Sequence, residues 1–124
     1  MNDEFRAQAY KLLDEFIGAV SRDDWQELNN HFDVSEALAE EIQEMIHEYY
    51  PNEDFSLGIA PFGSAFSKEK RKRPDIELFE MNDGDRWGVE CVLWVNGKPS
   101  EPILHVELFW KASDLRLQYK YIGS

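Results

Sequence analysis

The chain has 124 residues, enough for one domain with a single hydrophobic core and no covalent staples. Its 25 Asp and Glu against 13 Lys and Arg give a net charge of −12 and a pI near 4.6, which argues against nucleic acid or an anionic membrane as main partner, since phosphate binding needs a positive field. The lone Cys91 excludes an intrachain disulfide or a multi-cysteine zinc site, and with neither a signal-peptide pattern at MNDEFRAQAY nor an apolar run of about eighteen residues, the expected location is cytoplasmic.

The first fifty residues predict three helices. Phe5, Ala9, Leu12, Leu13, Phe16, Ile17 and Val20 recur at helical spacing and form one apolar stripe. After Arg22-Asp23-Asp24, the pair Asp24 and Glu27 resembles a capping box opening a short second helix, with Trp25, Leu28 and Phe32 as its buried side. A third helix starts from a cap at Asp33 or Ser35, buries Leu38, Ile42, Met45, Ile46 and Tyr49, and stops before Pro51.

From Phe55 the hydrophobic period changes to two. Phe55–Ile59 and Ile76–Met81 are candidate strands, and Trp87–Val95 is a stronger one. Leu104, Val106, Leu108 and Trp110 alternate with Ile103, His105, Glu107 and Phe109; Leu115, Leu117, Tyr119 and Tyr121 alternate with Arg116, Gln118 and Lys120. Asn82-Asp83-Gly84, Asn96-Gly97 and Ala112-Ser113-Asp114 supply turns between them. Short links favour an antiparallel meander. The expected fold is therefore α+β: three N-terminal helices packed on one face of a curved antiparallel four- to five-stranded sheet. It forms a single domain over 1–124, helical over 1–50 and sheet over 55–122.

Helices followed by a curved meander, with "DDWQEL" after the first helix and the closing "DLRLQYKYIGS", resemble the cone-shaped NTF2-like superfamily. "WGVECVLWVNGKPSEPILHVELF" is similar to small uncharacterised bacterial domains with a tryptophan-led hairpin. The first resemblance implies a cone that is an enzyme in some members and a binding module in others, and neither resemblance implies catalytic residues here.

Charge is sorted along the chain. Residues 1–54 hold fifteen acidic and three basic residues, whereas residues 55–124 hold ten of each. Between Arg22 and Lys68 there are eleven carboxylates and no Lys or Arg. In the third helix Glu36, Glu40, Glu44 and Glu48 stand four apart with Glu41 beside them, so like charges stack on one side at a cost of a few tenths of a kcal/mol per pair. Either this is a solvated face, or it is an acidic ridge that docks a basic surface on another protein. The counterpart is "FSKEKRKRPD", with five cations within Lys68–Arg73. It reads as a mobile solvated loop in preference to an internal counter-ion, because exposed pairs gain little from ordering. A nucleic-acid finger is disfavoured by the surrounding negative field.

No catalytic or metal constellation emerges, and no cofactor is expected. Glu44-x-x-His47 has the spacing of half a di-iron ligand set but lacks a second copy. Glu27 and His31 form a helical pair; His105 shares a strand face with Glu107 and lies across from Glu90 or Lys120, depending on register. Cys91, among Val89, Val92 and Leu93, reads as a core thiol. On the sheet, Val92, Trp94, Ile103 and Phe109 share the face away from the helices, and the Phe55–Phe66 segment is expected to cover it; otherwise a homodimer could form there. The sequence thus predicts a non-enzymatic acidic binding protein whose partner-binding residues are Glu36, Glu40, Glu41, Glu44 and Glu48, with Trp94 and Phe109 as aromatic anchors. The partner expected is a basic protein, most concretely a nuclease-like toxin domain neutralised by an immunity or antitoxin protein. The alternative is an NTF2-like pocket holding, or transforming, a small apolar ligand.

Overall fold

Three side-chain caps set out the helical half of the chain in the computed structural model, which describes residues 2–52, 54–68, 73–82 and 84–124. Asn2 accepts the Phe5 backbone N–H at 2.8 Å and opens helix α1 (Asp3–Ser21). Asp24 accepts the Glu27 N–H and opens α2 (Trp25–Phe32). Ser35 accepts the Leu38 N–H and opens α3 (Glu36–Tyr49). Each satisfies a donor that helix geometry leaves without a partner. Asp33 instead closes α2 in the left-handed region at φ 54°, so of the two caps the sequence allowed for α3, Ser35 is the one used. None of these helices is long and apolar enough to cross a membrane.

The second half forms one antiparallel sheet. Strand β1 (Leu57–Gly58) and strand β2 (Ile76–Glu80) both pair with β3 (Arg86–Val95), on the same edge, near its end and its start respectively. The opposite edge of β3 pairs with β4 (Lys98–Lys111), which pairs with β5 (Asp114–Gly123). The β3–β4 hairpin turns on Asn96 (φ 50°) and Gly97 (φ 81°), the left-handed pair that a two-residue turn needs to match strand twist. A single helical turn, α4 (Phe62–Ala65), lies between β1 and β2 and is not legible as a helix in the sequence. The architecture is the expected one: α+β, with N-terminal helices on one face of a curled antiparallel sheet.

The core lies between α1–α3 and the facing side of the sheet. Leu13, Phe16, Ile17, Ile42 and Ile46 meet Val89, Cys91, Leu93, Leu104, Val106 and Leu108 there, all buried. Phe16 fills the centre, edge-on to Phe32 and stacked on Tyr119 at 5.7 Å. Cys91 is fully buried, and burial pushes its thiol pKa far up, which makes it an inert core thiol.

Two sequence expectations need correction. Strict alternation put Tyr121 on the same face as Leu117 and Tyr119. A register shift pairs Val106 with Tyr119 but His105 with Tyr121, so Lys120 is an extra residue; Ile122 enters the core and Tyr121 turns outward. The Phe55–Phe66 segment also does not cover the outer sheet face. Phe55 packs on Tyr50 at 5.4 Å, Phe62 on Tyr10 at 5.2 Å, and the Tyr10 hydroxyl donates to the Ala60 carbonyl at 2.7 Å, all of which fasten the segment to the helical side.

Candidate acidic groove on the third helix

The apolar stripe of α3 fixes where its glutamates go. With Ala39, Ile42 and Ile46 buried, Glu36, Glu40, Glu41, Glu44 and Glu48 all project into solvent. Among the described residues none of the five forms an ion pair, although every described arginine does. Arg6 pairs with Asp3, Arg22 with Asp24, Arg73 with Glu90 at 2.6 Å, Arg86 with Glu107 at 3.1 Å, and Arg116 with Asp114. The positive charge that the fold does organise is spent away from α3. Of the basic run, Lys70, Arg71 and Lys72 lie outside the described residues, and so does the question of whether they reach the ridge.

Glu36, Glu40 and Glu44 line a groove of about 440 Å³ together with Asp23, Trp25, Ala39 and Gln43. The Gln43 side-chain amide donates to the Val20 carbonyl at 3.0 Å and so locks α3 against the end of α1. Trp25 is 40% exposed there. This corrects its assignment to the buried side of α2: as the first residue of the helix it precedes the Leu28–Phe32 stripe and stands over the groove. The arrangement is an aromatic face edged by four carboxylates, a chemistry that attracts a guanidinium or ammonium group. Sequence reasoning missed Trp25, Asp23 and Gln43; the doublet Asp23-Asp24 immediately before a tryptophan was the available signal.

The remaining sequence-derived residues are not part of the groove. Glu41 is exposed outside the groove; the Tyr119 hydroxyl is pushed up to about 12, mainly by burial, with a bond to the Ile122 backbone opposing the rise and the Glu41 carboxylate adding to it. Trp94 and Phe109 lie on the opposite side of the sheet. Trp94 is half-buried and donates its indole N–H to Asp75 at 3.0 Å; Phe109 lies under the Arg86 guanidinium at 4.4 Å. His105 faces Glu90 across the β3–β4 pair, but Arg73 holds that carboxylate, and His105 stacks on Tyr121 at 4.1 Å. His31 bonds to Glu27, which raises the imidazole pKa, and His47 packs edge-on to Phe55 at 6.2 Å. No group of three or more His, Cys, Asp and Glu suited to a metal ion occurs among the described residues.

The sequence model of the family described as a domain of unknown function (DUF7668) matches residues 17–123. The chain belongs to that family. The DUF7668 match takes in α2, α3 and the whole sheet, and with them every residue of the acidic groove. No curated protein and no solved structure matches the chain.

Proposed function

We propose that this DUF7668 chain is a non-enzymatic binding protein that masks a positively charged protein partner, in the manner of an immunity or antitoxin protein covering a basic, nuclease-like toxin. The observation that carries the reading is the groove on α3. Its carboxylates have no ion-pair partner among the described residues, while the described arginines each pair elsewhere. Unrelieved like charge at four-residue spacing costs stability, so a helix selected for folding alone gains from a lysine at one of those positions. An exposed tryptophan beside them supplies a desolvated contact of the kind that dominates interface energetics. Docking carboxylates onto the phosphate-binding cations of a nuclease both occludes the site and speeds encounter by long-range attraction.

The test is the double substitution Glu40→Lys with Glu44→Lys, which preserves the buried stripe. Capture of the partner from lysate should be lost in the variant and should weaken steeply between low and high salt for the parent chain. Retained capture by the folded variant refutes docking through α3.

A second reading has one observation in its favour. A cleft of about 310 Å³ runs from the α2–α3 connection around the β5 edge, lined by Phe32, Val34, Leu38, Leu117 and Tyr119 and edged by Asp33, Arg86, Phe109 and Gln118. That is the setting for a small apolar ligand in an NTF2-like pocket protein. Salt-insensitive binding of such a ligand, with Glu40→Lys and Glu44→Lys having no effect, would favour it. A neighbouring gene for a large secreted protein with a basic C-terminal region favours the masking role instead.

A further inference from the structure

A second aromatic site stands at the other end of α1, independent of the partner-masking reading. Phe5, in the first turn of α1, sets its ring 5.0 Å from that of Trp87 at 47° and 6.4 Å from that of Trp110 at 44°. The antiparallel β3–β4 pairing explains the meeting: Trp87 pairs with Leu108, and Trp110 lies two residues further along the same face. The three tilted rings, with Asn2, Glu4 and Gln8, line a cleft of about 340 Å³. Phe5 and Trp87 pack in part against the core, whereas Trp110 lies outside that cluster and is 48% exposed at a strand end, so core packing does not account for the third ring.

We propose that this cleft binds a small quaternary ammonium cation of the choline type. A ring face carries negative potential, and a cation held against several rings is attracted without a formal counter-ion in contact. A fully methylated nitrogen suits such a place better than a lysine ammonium: it has no N–H to leave unbonded, and its methyl groups bury apolar area on the indoles. No Lys or Arg lines the cleft, and Glu4 stands at its rim without an ion pair among the described residues. The partial positive charge at the start of α1 works against a cation, but the full charge of Glu4 opposes it there, Asp3 being paired with Arg6, and Asn2 already occupies the Phe5 N–H. The volume sits near the lower end of the roughly 300–1,000 Å³ typical of ligand pockets, which suits a compact head group. Gln8 also lines the adjoining groove, which is of mixed character, with Lys11, Glu15, Asp114 and Arg116 beside Leu12, Phe32 and Leu115, and gives room for whatever substituent the head group carries.

Choline and its uncharged carbon isostere, 3,3-dimethyl-1-butanol, titrated into the full chain with assigned indole N–H NMR signals, test the proposal. Choline should saturate and move the Trp87 and Trp110 signals, with the isostere binding about tenfold more weakly or worse. Trp110→Ala, at an exposed position, should weaken choline by about tenfold, and Glu4→Gln by a few-fold. Equal affinity for the isostere would reduce the site to an apolar groove and overturn the proposal. So would an absence of saturable choline binding, or a response at Trp25 with Trp87 and Trp110 unmoved. Loss of partner capture in the α3 variant leaves this titration unaffected, so the two readings fail separately.

Discussion

The Trp94 indole N–H donates to Oδ1 of Asp75 at 3.0 Å, and Asp75 is the only charged side chain buried among the described residues. The same residue's carbonyl accepts the Val92 N–H at 2.8 Å, so Asp75 latches the approach to β2 onto the centre of β3. Trp94→Phe keeps most of the ring area but withdraws a donor from a buried carboxylate. The expected loss is about 1–3 kcal/mol in urea denaturation. A variant as stable as the parent would show that the indole is not needed to satisfy Asp75.

Phe79 lies flat across Gly88, its partner in the β2–β3 register; a Cβ at Gly88 would stand 2.3 Å from the ring. Gly88→Ala should swing the ring into solvent and cost about 1 kcal/mol, since it loses the packing that holds the exposed side chain down. In a Phe79→Ala background the same substitution should be neutral or stabilising, because alanine is the better strand residue. A thermodynamic cycle over the four proteins measures the coupling, and additive effects would remove the ring-on-glycine explanation.

Glu44 has Glu40 and Glu48 one turn away on either side and Glu41 at three residues' distance. Glu44→Lys converts these repulsions into attractions and puts a cation near the helix C-terminus. The melting temperature should rise, by an amount equivalent to about 0.5–1 kcal/mol. A fall would mean that the carboxylate already serves the fold, and the argument for an external cation would go with it.

Tyr119 gives an alkaline prediction. Its hydroxyl titrates at about 12 in the folded chain, against about 10 when unfolded. Between those values the unfolded chain releases the proton while the folded chain retains it. Stability contributed by this group is therefore whole below about pH 10 and declines as pH rises toward 12. Tyr119→Phe should flatten that limb of a urea-midpoint profile, and an unchanged slope would assign the alkaline loss to other groups.

The three N-terminal helices and the three long strands were legible in the sequence because their apolar residues keep a clean period. The i, i+4 glutamates of α3 needed only that period to be placed on one exposed side. What escaped depends on events that no period encodes. One inserted residue, Lys120, reverses the facing of Tyr121 and Ile122. Trp25 is apolar, and a pattern count puts it in the core, yet at the first position of α2 it precedes the buried stripe. The groove beneath it depends on how α3 sits against the end of α1, where Gln43 bonds to the Val20 carbonyl. Trp94 and Phe109 were placed on the correct sheet face, but an aspartate and an arginine that are distant in sequence hold them there.

Among the described residues, charge is sorted between a strongly acidic helical layer and a sheet that carries acids and bases in similar number, which makes that part of the molecule electrically lopsided. All of the chain's net negative charge originates in residues 1–54, which supply the three long helices that cover one side of a charge-balanced sheet half. Beside a cationic surface, long-range attraction favours approach by the helical side. For a cationic surface, a bias in the orientation of encounter is thus written into the amino-acid order.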